Sequence, residues 1–334
     1  MRDTRHDQGV RHHHRRRSPQ SQAIGAVCRV FVKNVVRMWA LQPNLHWPFS
    51  SIDQVAALAP LPRSTTVQRV RLPSCPAELI GTAGSSARRA ILYLHGGAFL
   101  TCGLNTHRSL VARLARSADA EVLNVGYRML PDHGLSAALA DAADGLRWLL
   151  HRGYRWSEIV VAGDSAGGYL ALQTAAELLR HGHPPTAGVA AISPLTTLNP
   201  RDKSPGGKDR CAMFTARAMT SFMRYVATHG EKSQSGQPIA SPVDADLHQM
   251  PPVSIHVSSD EFLRPDAELM YERLTAAGAQ CELHMWDGQI HDFPLAAAVL
   301  PEGRRAIRYI GDFVKEVTPV ANSDTPEYPS AASL

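Results

Sequence analysis

The nine residues Ile159-Val160-Val161-Ala162-Gly163-Asp164-Ser165-Ala166-Gly167 set the architecture of this chain. Four apolar residues run into a G-x-S-x-G pentapeptide. A short apolar run of this kind suits a strand buried on both faces. The two glycines let the backbone double back where a side chain would clash. The stretch therefore reads as a strand, a sharp turn with Ser165 at its strained tip, and a helix behind it. A helix beginning there aims free N–H groups at the serine, where negative charge would develop during acyl transfer.

The pentapeptide is weak evidence alone, and its company gives it weight. His95-Gly96-Gly97-Ala98-Phe99 lies 70 residues upstream of Ser165, Asp260 lies 95 residues downstream, and His291 follows Asp260 by 31. From residue 67 the pattern alternates strand and helix. Strands are expected at 67–72, 77–81, 90–94, 121–125, 158–162, 188–193, 252–258 and 280–286. Helices are expected at 107–117, 136–151, 166–181, 215–228, 266–277 and 303–316. Gly153, Gly182 and Gly278 stand where helices should stop. Such alternation argues for a mostly parallel sheet flanked by helices. Residues 199–212 break the rhythm and read as a polar loop rich in Gly and Pro.

Taken together these pieces resemble the hormone-sensitive-lipase-like carboxylesterases, the H-G-G branch of the α/β-hydrolase fold. The resemblance spans residues 65–318. It rests on His95–Phe99, Tyr127-Arg128-Met129-Leu130-Pro131-Asp132, Gly163–Gly168, Ser193-Pro194, Ser241-Pro242, Ser259-Asp260-Glu261-Phe262-Leu263 and His291-Asp292-Phe293. Nucleophile, acid, histidine is the family's chain order. The resemblance implies an α/β-hydrolase fold with a small helical cap. With the flanking composition, the chain divides into a disordered basic tail (1–20), an N-terminal cap segment (21–64), a catalytic domain (65–318) with a cap insertion near 199–235 that the resemblance places, and a C-terminal tail (319–334).

It also implies a serine esterase for short- to medium-chain acyl esters, working through an acyl-enzyme without metal or cofactor. Ser165 is the nucleophile and His291 the base that takes its proton and returns it to the leaving alkoxide. Asp260 is favoured as the acid over Glu261 and Asp266, because the family uses the first acidic residue of this motif. Gly96, Gly97 and Ala166 are the expected oxyanion-hole donors. Asp164 and Tyr127 are read as supports without a chemical step. An unperturbed His291 would lose activity as pH falls through about 6.5. Ala98 stands where a third glycine is frequent, Leu130 and Asp132 replace the usual Ala and Glu, and Arg264-Pro265 make the acid loop atypical. These departures bear on the acyl pocket. Amide hydrolysis or acyl transfer would use the same triad. A non-catalytic receptor on this fold is disfavoured because all three triad members are present.

The net charge is +5, but residues 1–17 hold six Arg against two Asp. The basicity thus belongs to the tail, and nucleic-acid binding by the body is disfavoured. On composition residues 1–20 are a disordered, solvated tail, in which His12-His13-His14 could hold a metal. Five cysteines without metal-ligand spacing fit free thiols in a reducing, cytoplasmic setting. Residues 23–41 look helical, with Arg29, Lys33 and Arg37 on one face, and they carry too many charges to span a membrane. Two uses compete for them: a cap over the active-site mouth, favoured on the resemblance, or peripheral membrane contact. A homodimer stays open.

Overall fold

The computed structural model describes residues 9–83, 88–199, 210–230 and 240–318. Among them a nine-stranded sheet runs through the molecule in the order β1-β9-β8-β7-β6-β4-β5-β3-β2. The strands are β1 (Gly9–His14), β2 (Thr65–Arg71), β3 (Pro76–Thr82), β4 (Ala90–Leu94), β5 (Glu121–Val125), β6 (Ile159–Asp164), β7 (Gly188–Ile192), β8 (Val253–Ser258) and β9 (Cys281–Trp286). All neighbours pair in parallel except β2–β3 and β3–β5. Every helix and strand expected from residue 67 onward is present, with ends shifted by a few residues.

Two layers of helix cover the sheet, and alternation along each strand feeds both. On β4, Leu92 and Leu94 join one core while Ile91 and Tyr93 join the other; on β6, Val161 and Val160 divide the same way. The first core takes α5 (Leu135–His151), α6 (Ala166–Arg180) and α8 (Arg264–Ala276), and the second takes α4 (Leu104–Ala118) and α9 (Pro301–Val317). Parallel strands present all their carboxyl ends at one edge of the sheet, where sites of such folds collect.

Residues 9–20 are not a disordered tail. Gly9–His14 form β1, which extends the sheet beyond β9 with His12 opposite His284 and His14 opposite Trp286. Composition scores histidine as polar, yet these rings are stacked. His14 lies 3.8 Å from the Trp286 ring centroid and His12 lies 4.4 Å from that of His284. Burial, with His284 beside it, pushes His14 down to about 4, so it packs as a neutral ring. Arg11 lies over Tyr271, its guanidinium carbon 4.5 Å from the ring centroid. Ser18 then caps the next helix and ties its own N–H and hydroxyl to Glu302 at 2.6 and 2.9 Å. Residues 1–8 and 319–334 lie outside the described residues, as does most of 199–212.

The segment 23–41 is helical but divided at Phe31 into α1 (Pro19–Val30) and α2 (Val32–Leu41), followed by α3 (Phe49–Ala56). α2 packs on α7 (Ala216–His229) through Trp39 and Ala40, and Ser221 donates to the Ala40 carbonyl at 2.9 Å. Its basic face is partly the inner one: Lys33 Nζ donates to the Cys211 carbonyl at 2.8 Å. Val27, Val30, Phe31, Val35, Met38 and Leu41 face outward and are each more than half exposed. Among the described residues no helix is long and apolar enough to cross a membrane. All five cysteines are free.

Candidate active site

Ser165 sits between the end of β6 and the start of α6 with φ +52°. A non-glycine residue there is strained, and such strain concentrates at functional sites. The turn is held by Ser165 N–H, which donates to the Ile192 carbonyl at 2.8 Å. Its sharpness needs the flanking glycines: a Cβ on Gly167 would strike the Leu94 carbonyl, and one on Gly163 the Gly167 carbonyl.

His291 approaches from the loop after β9. The Ser165 hydroxyl lies 2.9 Å from its Nε2, and both groups are buried. Its Nδ1 donates to Glu261 Oε2 at 2.8 Å. Asp260 is not the partner. Its carboxylate accepts from the Ser259 hydroxyl at 3.2 Å, and its N–H donates to the Ser258 hydroxyl at 3.2 Å. The reason is the turn that follows β8. Ser258 N–H donates to Glu261 Oε1 at 3.0 Å, which folds the Glu261 side chain back beneath the turn and leaves Oε2 aimed at the imidazole. Neighbouring acids in a turn point in different directions, and only the backbone path selects one.

Asp292 was not anticipated. Its Oδ2 lies 3.0 Å from His291 Nε2, the nitrogen that also faces Ser165. Burial would lower the pKa of His291, but the carboxylates of Asp292 and Glu261 outweigh it and raise the ring well above its ordinary value. Burial pushes Asp292 itself up to about 7, against the pull of His291. The two groups titrate as a pair.

The loop after β4 forms the other wall. Gly96 is not an open donor: its N–H is committed to Asp164 Oδ1 at 3.0 Å. Asp164 also accepts from the Tyr93 hydroxyl at 2.7 Å and pairs with His107 Nε2 at 3.0 Å. Burial opposes the Asp164 charge, but His107 and the hydrogen bonds hold its carboxyl below the usual range. Asp164 therefore pins the β4 loop to the serine turn. Tyr127 adds a second pin, its hydroxyl donating to the His95 carbonyl at 2.7 Å. Past Gly96 the chain enters left-handed backbone at Gly97 (φ +117°), Ala98 (+57°) and Phe99 (+58°). A Cβ on Gly97 would strike the Thr101 carbonyl. Among the described residues, no acceptor is paired with the N–H groups of Gly97, Ala98 or Ala166.

Above the serine, the Phe214 ring packs edge-on against His291 with centroids 4.8 Å apart. Met219, Phe222 and Met223 of α7 are buried core residues, with Phe222 stacked near Phe99. A cavity of about 360 Å³ lies beyond the β4 loop, lined by charged groups such as Asp53, Glu78 and Arg108 and by apolar ones such as Leu104 and Met129. It contains none of Ser165, Glu261 and His291, so its size gives it no claim on the chemistry.

Residues 91–295 match the α/β-hydrolase-fold family. The chain is similar to the esterase LipU of Mycobacterium tuberculosis, at 44% identity over 296 residues, covering 86% of this chain and 99% of that one. It belongs to the hormone-sensitive-lipase-like esterases of the α/β-hydrolase fold. The carboxylesterase/phospholipase LipF of the same organism is 39% identical over 300 residues, 87% of this chain and 80% of that one. Crystal structures agree. EstE5 matches with a TM-score of 0.79 at 28% identity, covering 91% of this chain and all of that one. An esterase of the bacterial hormone-sensitive lipase family matches at 0.77 and 28%, covering 91% and 99%. This esterase is thus a carboxylic ester hydrolase, with small-molecule esters as its substrates. Against that family, Asp260 and Gly96 are the two site expectations its geometry does not support. Glu261 was visible in the sequence as a neighbouring acid. Nothing in the sequence pointed to Asp292 as a contact of His291.

Proposed function

We propose that Ser165, His291 and Glu261 form the catalytic triad, with Gly97, Ala98 and Ala166 N–H groups as the oxyanion hole. The observation that carries this is the unbroken chain from Ser165 Oγ through both ring nitrogens of His291 to the Glu261 carboxylate. Glu261 holds His291 with its proton on Nδ1, which leaves Nε2 to take the Ser165 proton as the hydroxyl attacks the ester carbonyl. The developing alkoxide is met by backbone donors fixed before the reaction, so little reorganisation is needed. The imidazolium, stabilised by Glu261, returns the proton to the leaving alcohol. Water then repeats the sequence on the acyl-enzyme. Phe214 against the imidazole supports a substrate path of limited width, suited to short- and medium-chain acyl groups. Hydrolysis of p-nitrophenyl esters from two to sixteen carbons tests the reading. A peak at short or medium length, abolished by Ser165→Ala, is expected; activity retained in Ser165→Ala would refute the nucleophile.

The outward apolar face of α1 and α2 supports peripheral contact with a lipid surface on the cytoplasmic side, while α2 covers α7 with its other edge. Co-sedimentation with phosphatidylglycerol vesicles should be lost in Phe31→Ser/Val35→Ser. A dimer in solution with no vesicle binding would instead assign the face to a second copy of the chain.

A further inference from the structure

Four histidines meet where β1 docks on the sheet, remote in function from the ester chemistry. His12 and His284 are direct register partners on parallel strands, and Glu282 lies two residues before His284 on the same face of β9. One nitrogen from each ring and one Glu282 oxygen all lie within 4.8 Å of one another. We propose that His12, Glu282 and His284 form a site for a divalent transition-metal ion, zinc by chemistry, that clips β1 to the sheet.

Three observations carry the site. First, His284 Nε2 is buried beside Glu282, 3.3 Å from Oε1, and among the described residues it has no partner in hydrogen-bond geometry. That separation is the one two ligands of a single ion keep from each other, and His12 brings a third ligand atom within 4.8 Å of both. Second, His284 Nδ1 lies 3.0 Å from His14 Nε2. With its Nδ1 engaged by His14, His284 keeps the Nε2 lone pair for the metal. An orienting partner on the second ring nitrogen is what metal-bound histidines generally have. Third, His256 stacks under His284 at 4.3 Å and receives the Trp286 indole N–H at 3.2 Å, which fixes the floor of the site. Rotamer shifts on the order of 1 Å close the three donors to the ~2.0–2.2 Å bonds that zinc makes with imidazole and carboxylate. Water completes the tetrahedron. Two imidazoles and one carboxylate favour zinc, cobalt, nickel or copper over magnesium or calcium. His12 is part-exposed, which gives the ion a way in.

The ion would act on the fold, not on the ester. Asp287 N–H donates to the His14 carbonyl at 3.1 Å, so β1 also steadies the start of the loop that carries His291. The test uses the full chain without an affinity tag, stripped with chelator and titrated with Co²⁺ and then Zn²⁺. One Co²⁺ per chain with the intense visible absorption of four-coordinate cobalt is expected, displaced by Zn²⁺. Saturating Zn²⁺ should raise Tm by roughly 5 °C. His12→Ala and Glu282→Gln should each weaken binding at least tenfold. His13→Ala, on the opposite face of β1, should leave it unchanged. Circular dichroism of both ligand variants separates lost binding from lost folding. Absence of stoichiometric binding by the folded chain, a six-coordinate spectrum indifferent to His12→Ala, or equal weakening by His13→Ala would overturn the proposal. The last outcome would assign the metal to the histidine run as such.

Discussion

Replacing Glu261 by Gln changes one oxygen to an amide nitrogen, and the structure says where that nitrogen must go. Ser258 N–H donates to Oε1 at 3.0 Å, so the amide oxygen has to stay there. The NH₂ then falls at the Oε2 position, 2.8 Å from His291 Nδ1. Two N–H groups would face each other unless the imidazole changes tautomer. After that change Nε2 carries the proton and points it at Ser165, which lies 2.9 Å away and can no longer be deprotonated. A misplaced tautomer in a serine triad costs about 10⁴ in kcat, or about 5.4 kcal/mol of transition-state stabilisation. Asp260→Asn is the paired control. Among the described residues its carboxylate is hydrogen-bonded to the adjacent Ser259 hydroxyl, which an amide oxygen satisfies equally. That variant is expected to keep kcat within about threefold. The assay is kcat on p-nitrophenyl butyrate, with circular dichroism to verify folding. A loss of thousands-fold in Asp260→Asn beside near-normal Glu261→Gln would refute the assignment and restore Asp260 as the acid.

Other outcomes follow from the same geometry. Because the base must be neutral and the His291 pKa is raised, the acid limb of kcat/KM should lie above the pH 6.5 of a free imidazole. Asp292→Asn removes a carboxylate 3.0 Å from Nε2 and should shift that limb to lower pH; an unmoved limb would show that Asp292 does not set it. Asp164→Ala strands His107 and frees Gly96, and losing one partner of a buried pair costs about 3–5 kcal/mol, to be read in urea denaturation. Asp164 has a lowered folded pKa, so its stabilising effect is present above the unfolded value of 3.8 and is lost as pH falls through the folded one. His107 has a raised pKa, so its share is full below 6.5 and is lost as pH rises through the folded value. A denaturation midpoint indifferent to Asp164→Ala would remove the pinning role.

Local signals were enough for much of this molecule. The buried strands 90–94 and 159–164 are legible because parallel strands covered on both faces must be apolar throughout. Ser165 is legible because its turn has one backbone solution, and that solution demands glycines at 163 and 167. Other features left no such mark. His12 and His14 look like a solvated tail until Trp286 and His284 are brought beneath them. The apolar face of α1 and α2 gives a helical period but does not say which side turns inward, and Lys33 rather than Val35 makes the inner contact.

Sequence by itself determined the parallel sheet, the serine turn, and the order in which nucleophile, acid region and histidine arrive at the carboxyl edge. Periodicity and turn chemistry act between near neighbours, so one chain suffices to read them. The tertiary structure alone decided that Glu261 and not Asp260 meets His291, that Asp292 shares its Nε2, and that Asp164 takes the Gly96 N–H. Each of these depends on a contact of about 3 Å between side chains or loops set by the backbone path. A one-residue step along a turn swings a carboxylate away from its target, and no local pattern records that direction.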